Sequence, residues 1–178
     1  MPRIMRKSYG ELVDKLEPNQ VFVFGSNWDE ARKSGGFHGG GAAGYASFGV
    51  YGNHWRELNY DSKPNGWKGK WNVKGFGEGF QEGTEGKSYA LPTVKFAGGK
   101  QSLTMDQIRA NIKNMYTFAA NHPEFEFLVA GSSAGGKSPL CGYSHEQLTY
   151  MYSAAGPIPD NVVFSTSYNR MIFWMIKP

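Results

Sequence analysis

The sequence is poor in cysteine: a single one, Cys141, leaves no partner for an internal disulfide and no basis for a multi-cysteine zinc site. This absence points to an intracellular setting. No stretch approaches the ~18 consecutive apolar residues of a membrane span. Residues 1–20 (MPRIMRKSYGELVDKLEPNQ) also lack the apolar centre of a signal peptide. The expectation is a cytoplasmic protein that does not engage a membrane. His54, His122 and His145 stand at no metal-ligand spacing with one another or with carboxylates, so neither metal nor cofactor is expected. Neither sign of charge dominates. Against 15 Asp and Glu, 19 Lys and Arg leave a net charge of +4, compatible with anionic ligands but too weak to demand nucleic acid. Oligomeric state is not encoded in any of these features, and no internal repeat is visible.

What is abundant is glycine. There are 24 glycines in 178 residues, about twice the ordinary ~7%. The excess is not low complexity, because 12 Phe, 10 Tyr and 5 Trp supply more apolar bulk than a disordered chain carries. The length fits one domain over residues 1–178, with backbone that must often turn sharply or approach something closely.

Leu12, Val13 and Leu16 at helical spacing before Pro18-Asn19 predict a short helix ending in a turn. Val21-Phe22-Val23-Phe24, stopped by Gly25-Ser26-Asn27, reads as a strand buried on both faces and central in a parallel or mixed sheet. A loop with Gly35, Gly36, Gly39, Gly40 and Gly41 follows, then small residues from Ala42 to Phe48 that read as a short helix. From 51 to 87 the pattern is irregular or a few small hairpins, with an irregular insertion at about 51–75. Tyr89 to Thr93 reads as a strand ended by Pro92. Thr104 caps a helix whose apolar face carries Ile108, Ile112, Met115, Tyr116 and Ala119. Phe125 to Ala130 is a strand, Ser144 caps a helix through Leu148, Met151 and Tyr152, and two closing strands are expected at Val162 to Ser165 and Met171 to Trp174. Alternating strands and helices give a layered α/β domain.

Two glycine-rich loops, at 35–41 and 131–136, each follow a buried strand. In an open α/β sheet ligands collect outside the carboxyl ends of strands, where successive backbone N–H groups and a helix N-terminus favour phosphate or diphosphate. The bland alternative is that these glycines only make tight turns. Gly131, Gly136, Lys137 and Ser138 match the ATP-binding pattern G-x-x-x-x-G-K-[ST] literally, yet Pro139-Leu140-Cys141-Gly142 breaks the helix that a P-loop needs after its lysine. ATP binding there is a minor reading, although Lys137 remains a candidate phosphate contact. His38 is a candidate general base or ligand donor, or else a solvent-exposed or turn-bonding histidine. Cys141 is a nucleophile or, more commonly for a lone cysteine, a packed small hydrophobe. Trp55, Trp67 and Trp71 among Lys63, Lys68, Lys70 and Lys74 could bind single-stranded nucleic acid, but read better as a flap anchored over the ligand rim.

The run Val23-Phe24-Gly25-Ser26-Asn27, then His38-Gly39-Gly40-Gly41-Ala42-Ala43, then GFQEGTEGKSYALPT over 79–93, then Gly142-Tyr143 before a helix resembles the macrodomain-like non-structural proteins of bacteriophages. Their text is a strand, F-G-S-N, H-G-x-G-A-A, G-x-S-Y-A-[IL]-P-T and an A-G-Y-type loop. The resemblance implies a three-layer α/β/α macrodomain fold with a mixed central sheet and a cleft for ADP-ribose or a related nucleotide, in the host cytoplasm for a phage product. By similarity Asn27 faces the distal ribose, and Gly39, Gly40 and Gly41 form the first ligand loop. Gly131, Ser132, Ser133, Gly135, Gly136 and Lys137, with Gly142 and Tyr143 at the end, take the place of the second, diphosphate-wrapping loop. Hydrolytic macrodomains often carry an aspartate shortly after the glycine run, where Ala42 and Ala43 stand here. Binding is therefore expected ahead of ADP-ribosyl hydrolysis, in which His38 or a substrate phosphate would assist.

Overall fold

The computed structural model describes residues 5–10, 16–27, 78–82, 86–96, 98–129, 139 and 141–176. Six strands form one sheet: β1 (Ser8–Tyr9), β2 (Gln20–Asn27), β3 (Gly79–Glu82), β4 (Lys87–Val94), β5 (Glu126–Val129) and β6 (Val162–Ser165). Their order is β1-β6-β5-β2-β4-β3, with β3 antiparallel to β4 and every other pairing parallel. Three helices are described: α1 (Met105–Ala120), α2 (His145–Ala154) and α3 (Thr166–Met175). The chain is thus α/β with a mixed sheet.

The apolar run from Val21 to Phe24 makes β2 the inner strand it was expected to be, paired on both sides and with both faces buried. Val21 and Val23 share one core cluster with Leu91, Phe127 and Phe164 of the neighbouring strands. Ile112 and Met115 of α1, Met151 of α2 and Ile172 of α3 close that cluster, so all three helices cover the same face. On the other face Phe22, Phe24, Leu128 and Val163 are equally buried. Paired and covered on both sides, such strands read as continuous apolar runs rather than alternating ones.

Four readings change. The strand does not stop before Gly25: β2 runs on through Asn27, with Gly25, Ser26 and Asn27 paired to β4. Pro92 lies inside β4 rather than ending it. β3 pairs with β4 only as far as Ala90, so beyond that residue β4 has a described partner on the β2 side alone, and a residue without an N–H is tolerated there. The segment from Met171 to Trp174 is helical, not a strand. Tyr168, Asn169 and Ile172 bury one helical face while Trp174 is 74% exposed, and a four-residue apolar run cannot distinguish the two periods alone. β1 was not anticipated. It is held by partners distant in sequence: the Arg6 guanidinium donates to the carbonyls of Pro159 and Val162, and Asn169 Nδ2 donates to the Arg6 carbonyl. The expected helices around Leu12 and over 42–48, and the insertion at 51–75, lie outside the described residues.

Thr104 and Ser144 cap α1 and α2 as the sequence predicts, each through a full capping box closed by Gln107 or Gln147. Ser165 is the N-cap of α3 but makes no side-chain cap bond, and its Oγ is buried without a partner. Replacing Thr104 or Ser144 by Ala should therefore cost about 1 kcal/mol each. Ser165→Ala should be neutral or stabilising by up to about 1 kcal/mol, since it removes an unsatisfied buried hydroxyl. Denaturant midpoints of the three variants check this contrast; a Ser165→Ala loss equal to the other two would contradict it.

Candidate functional site

The strand order contains a switch point. From β2 the chain passes to β3 and β4 on one side of the sheet, whereas from β5 it passes to β6 on the other. Adjacent β2 and β5 are therefore the topological switch point, and ligands of open α/β sheets bind outside the carboxyl ends of such a pair.

The last described pairing of β5 sets Val129 opposite Val23, and β2 continues through Phe24, Gly25, Ser26 and Asn27. These four residues have β4 on one side, with a register shift between Ser26 and Asn27 that leaves Thr93 as the extra residue on β4. Bulges of this kind re-aim side chains and are enriched beside active sites. Phe24, Ser26 and Asn27 are buried, but Gly25 between them is exposed. A Cβ on Gly25 would lie 3.4 Å from Thr93 Oγ1, which places the Thr93 side chain beside this glycine. An exposed glycine in an otherwise buried inner strand is where another molecule can approach the backbone.

The surrounding backbone is well fixed. Asn111, buried on α1, donates from Nδ2 to the Pro92 carbonyl at 3.1 Å, holding the end of β4. Tyr9 donates its hydroxyl to the Val129 carbonyl at 2.6 Å, closing the end of β5. Beyond β4, Ser102 Oγ accepts from the Lys95 N–H at 2.8 Å and donates to the Gly99 carbonyl, so the loop leading into α1 folds back on itself. Residues 141–143 hang from this loop: the Gln101 N–H donates to the Cys141 carbonyl at 2.6 Å, and Tyr143 donates its hydroxyl to the Leu103 carbonyl at 2.7 Å.

Of the residues singled out from sequence, Asn27 sits at the carboxyl end of β2, 6% exposed, and Gly142 and Tyr143 are hydrogen-bonded to the loop that follows β4. Tyr143 also packs against the core cluster. His38, Gly39, Gly40, Gly41, Gly131, Ser132, Ser133, Gly135, Gly136 and Lys137 lie outside the described residues, as do the Trp and Lys residues of 55–74. The structure brings together two stretches that are far apart in sequence. Gly25-Ser26-Asn27 and Ser88 to Thr93 are hydrogen-bonded neighbours whose carboxyl ends form the wall beside Gly25. Gly25 and Thr93 were not singled out; their signal was present in the two short motifs, but nothing in sequence showed that they adjoin.

The other candidates resolve into packing. Burial pushes the Cys141 thiol up, away from the thiolate a nucleophile needs, and the side chain belongs to the core cluster. His122 stacks on the Phe118 ring at 4.2 Å and meets Glu124 Oε1 at 3.1 Å, and His145 Nδ1 lies 2.8 Å from the Tyr168 hydroxyl. Among the described residues no three His, Cys, Asp or Glu side chains are grouped so as to hold a metal ion. After Lys137 the first described helix begins only at His145, which does not fit a P-loop. No described helix is long and apolar enough to cross a membrane. No family model matches this chain, nor does any curated protein or solved structure.

Proposed function

We propose that the chain binds ADP-ribose or a related nucleotide diphosphate at the carboxyl end of β2, in a macrodomain-like three-layer α/β/α domain. The observation that carries this reading is the exposed Gly25 at the β2/β5 switch point, beside Thr93 and two residues before the buried Asn27. It supports the resemblance because the F-G-S-N and S-Y-A-L-P-T segments, separate in sequence, meet there. The mixed sheet, with helices on one face and a second face equally buried, supports the layered arrangement. The glycine runs at 35–41 and 131–136 follow β2 and β5 in the sequence, and are the natural source of backbone donors for phosphates. Ala42 and Ala43 stand where hydrolytic macrodomains often carry an aspartate, so binding takes precedence over cleavage of an ADP-ribosyl bond.

Calorimetry with ADP-ribose tests this directly. Binding is expected, with thermal stabilisation equivalent to about 2.7 kcal/mol at ~100 times Kd. Asn27→Ala, verified as folded by its melting curve, should bind about tenfold more weakly, as expected for loss of one ribose contact of about 1.4 kcal/mol. No binding of ADP-ribose or NAD at millimolar concentration would remove the reading. Strongly salt-dependent binding of single-stranded oligonucleotides instead would replace it with a nucleic-acid partner.

A further inference from the structure

Gln101 is the one non-glycine residue with a left-handed backbone among the described residues, at φ 53. For an L-residue with a long side chain this conformation is sterically disfavoured, and it persists only where the surroundings over-determine it. The surroundings in question are not its own loop. Its N–H donates to the Cys141 carbonyl at 2.6 Å, and its side-chain Nε2 donates to the Gly142 carbonyl at 3.1 Å. Gly142 is itself left-handed at φ +87, and a Cβ there would meet Lys100 Cβ at 2.8 Å and the Gln101 nitrogen at 3.1 Å. Two left-handed residues from separate loops thus interlock with no room between them. Entry into α1 does not require this arrangement, because Thr104 and Gln107 already satisfy that helix end.

We infer that Gln101 is a positioning residue that latches Gly142 and Tyr143 against the loop after β4 and so places these two residues for a diphosphate. This rests on the nucleotide-binding reading above. Gln101 acts through Gly142 rather than by touching the ligand. Its removal should therefore affect ligands that carry the diphosphate and distal ribose more than those that end at the first phosphate.

The decisive variants are Gln101→Gly, which keeps the left-handed backbone without steric cost and deletes the side chain, and Gln101→Glu, which sets a carboxylate oxygen against the Gly142 carbonyl. In both, amide exchange at Gly142 should accelerate at least ~10-fold, as expected when a local opening becomes easier. The Kd for ADP-ribose should rise about tenfold while that for AMP changes less than about twofold. Unchanged exchange at Gly142 would overturn the latch, and equal losses for both ligands would overturn its role in placing the diphosphate. Should the wild-type protein bind neither ligand, the functional reading and the ligand-placing role fall together, and exchange at Gly142 alone decides whether the latch exists.

Discussion

A Gly25→Val variant is expected to fold as the wild type does and to bind ADP-ribose about 100-fold more weakly, a loss of about 2.7 kcal/mol. The two effects separate because of where Gly25 sits. Its backbone is not left-handed, and among the described residues an added Cβ would meet Thr93 Oγ1 alone, at an ordinary contact distance of 3.4 Å. Valine also suits a strand better than glycine does, so the change in stability should stay within about 1 kcal/mol. Gly25 is exposed, by contrast, and the isopropyl group would occupy the space through which a ligand approaches the backbone. Calorimetry with ADP-ribose and a urea melt of the same preparation check both halves. Wild-type affinity in a folded Gly25→Val protein would place the ligand away from the carboxyl end of β2.

The second large effect concerns alkaline pH. Burial, with Glu78 as a lesser cause, pushes the Tyr89 phenol up to about 12. Burial also raises Tyr116 and Tyr152 well above the usual phenol value, with Arg6 opposing the rise at Tyr116. Below pH ~10 the folded and unfolded chains both hold all three protons, and the contribution to stability is complete. Above it the unfolded chain releases them while the folded chain keeps them, so the unfolded state binds fewer protons and stability falls as pH rises. The decline is about 1.4 kcal/mol per pH unit per tyrosine, or about 4 kcal/mol per unit for three. The Tyr89 contribution ends at about 12, where its folded form ionises as well. Against a total stability of about 5–15 kcal/mol, two units suffice to unfold much of the population. Urea midpoints between pH 9 and 11.5 should show the decline, and Tyr89→Phe should reduce its slope by about 1.4 kcal/mol per pH unit, the share of one phenol. A Tyr89→Phe protein with an unchanged slope would assign the titration to other groups.

Local signals carried much of the architecture. Thr104 with Gln107, and Ser144 with Gln147, announce α1 and α2 because capping is settled within four residues of chain. The apolar run from Val21 to Phe24 announces an inner strand because both faces of that strand are covered. Where the deciding neighbour lies far away in sequence, the local signal fails. Pro92 marks the end of a strand in isolation but is accommodated past the short β3, and Met171 to Trp174 reads equally as strand or helix until Tyr168 and Ile172 meet the core. β1 is two residues long and exists because Arg6 and Tyr9 find carbonyls more than a hundred residues away.

The amino-acid sequence by itself determined an α/β domain, two capped helices, the inner strand, and the positions of glycine-rich runs after β2 and β5. These depend on periodicity, capping and turn chemistry, all of which act over a few residues. Only the tertiary structure decided that β2 and β5 flank the switch point, that β2 runs on through Asn27 beside β4, and that Gly25 is exposed beside Thr93. It alone also joined Gln101 to Gly142. Strand order and register follow from which apolar faces bury one another across the whole chain, and no local pattern contains that choice.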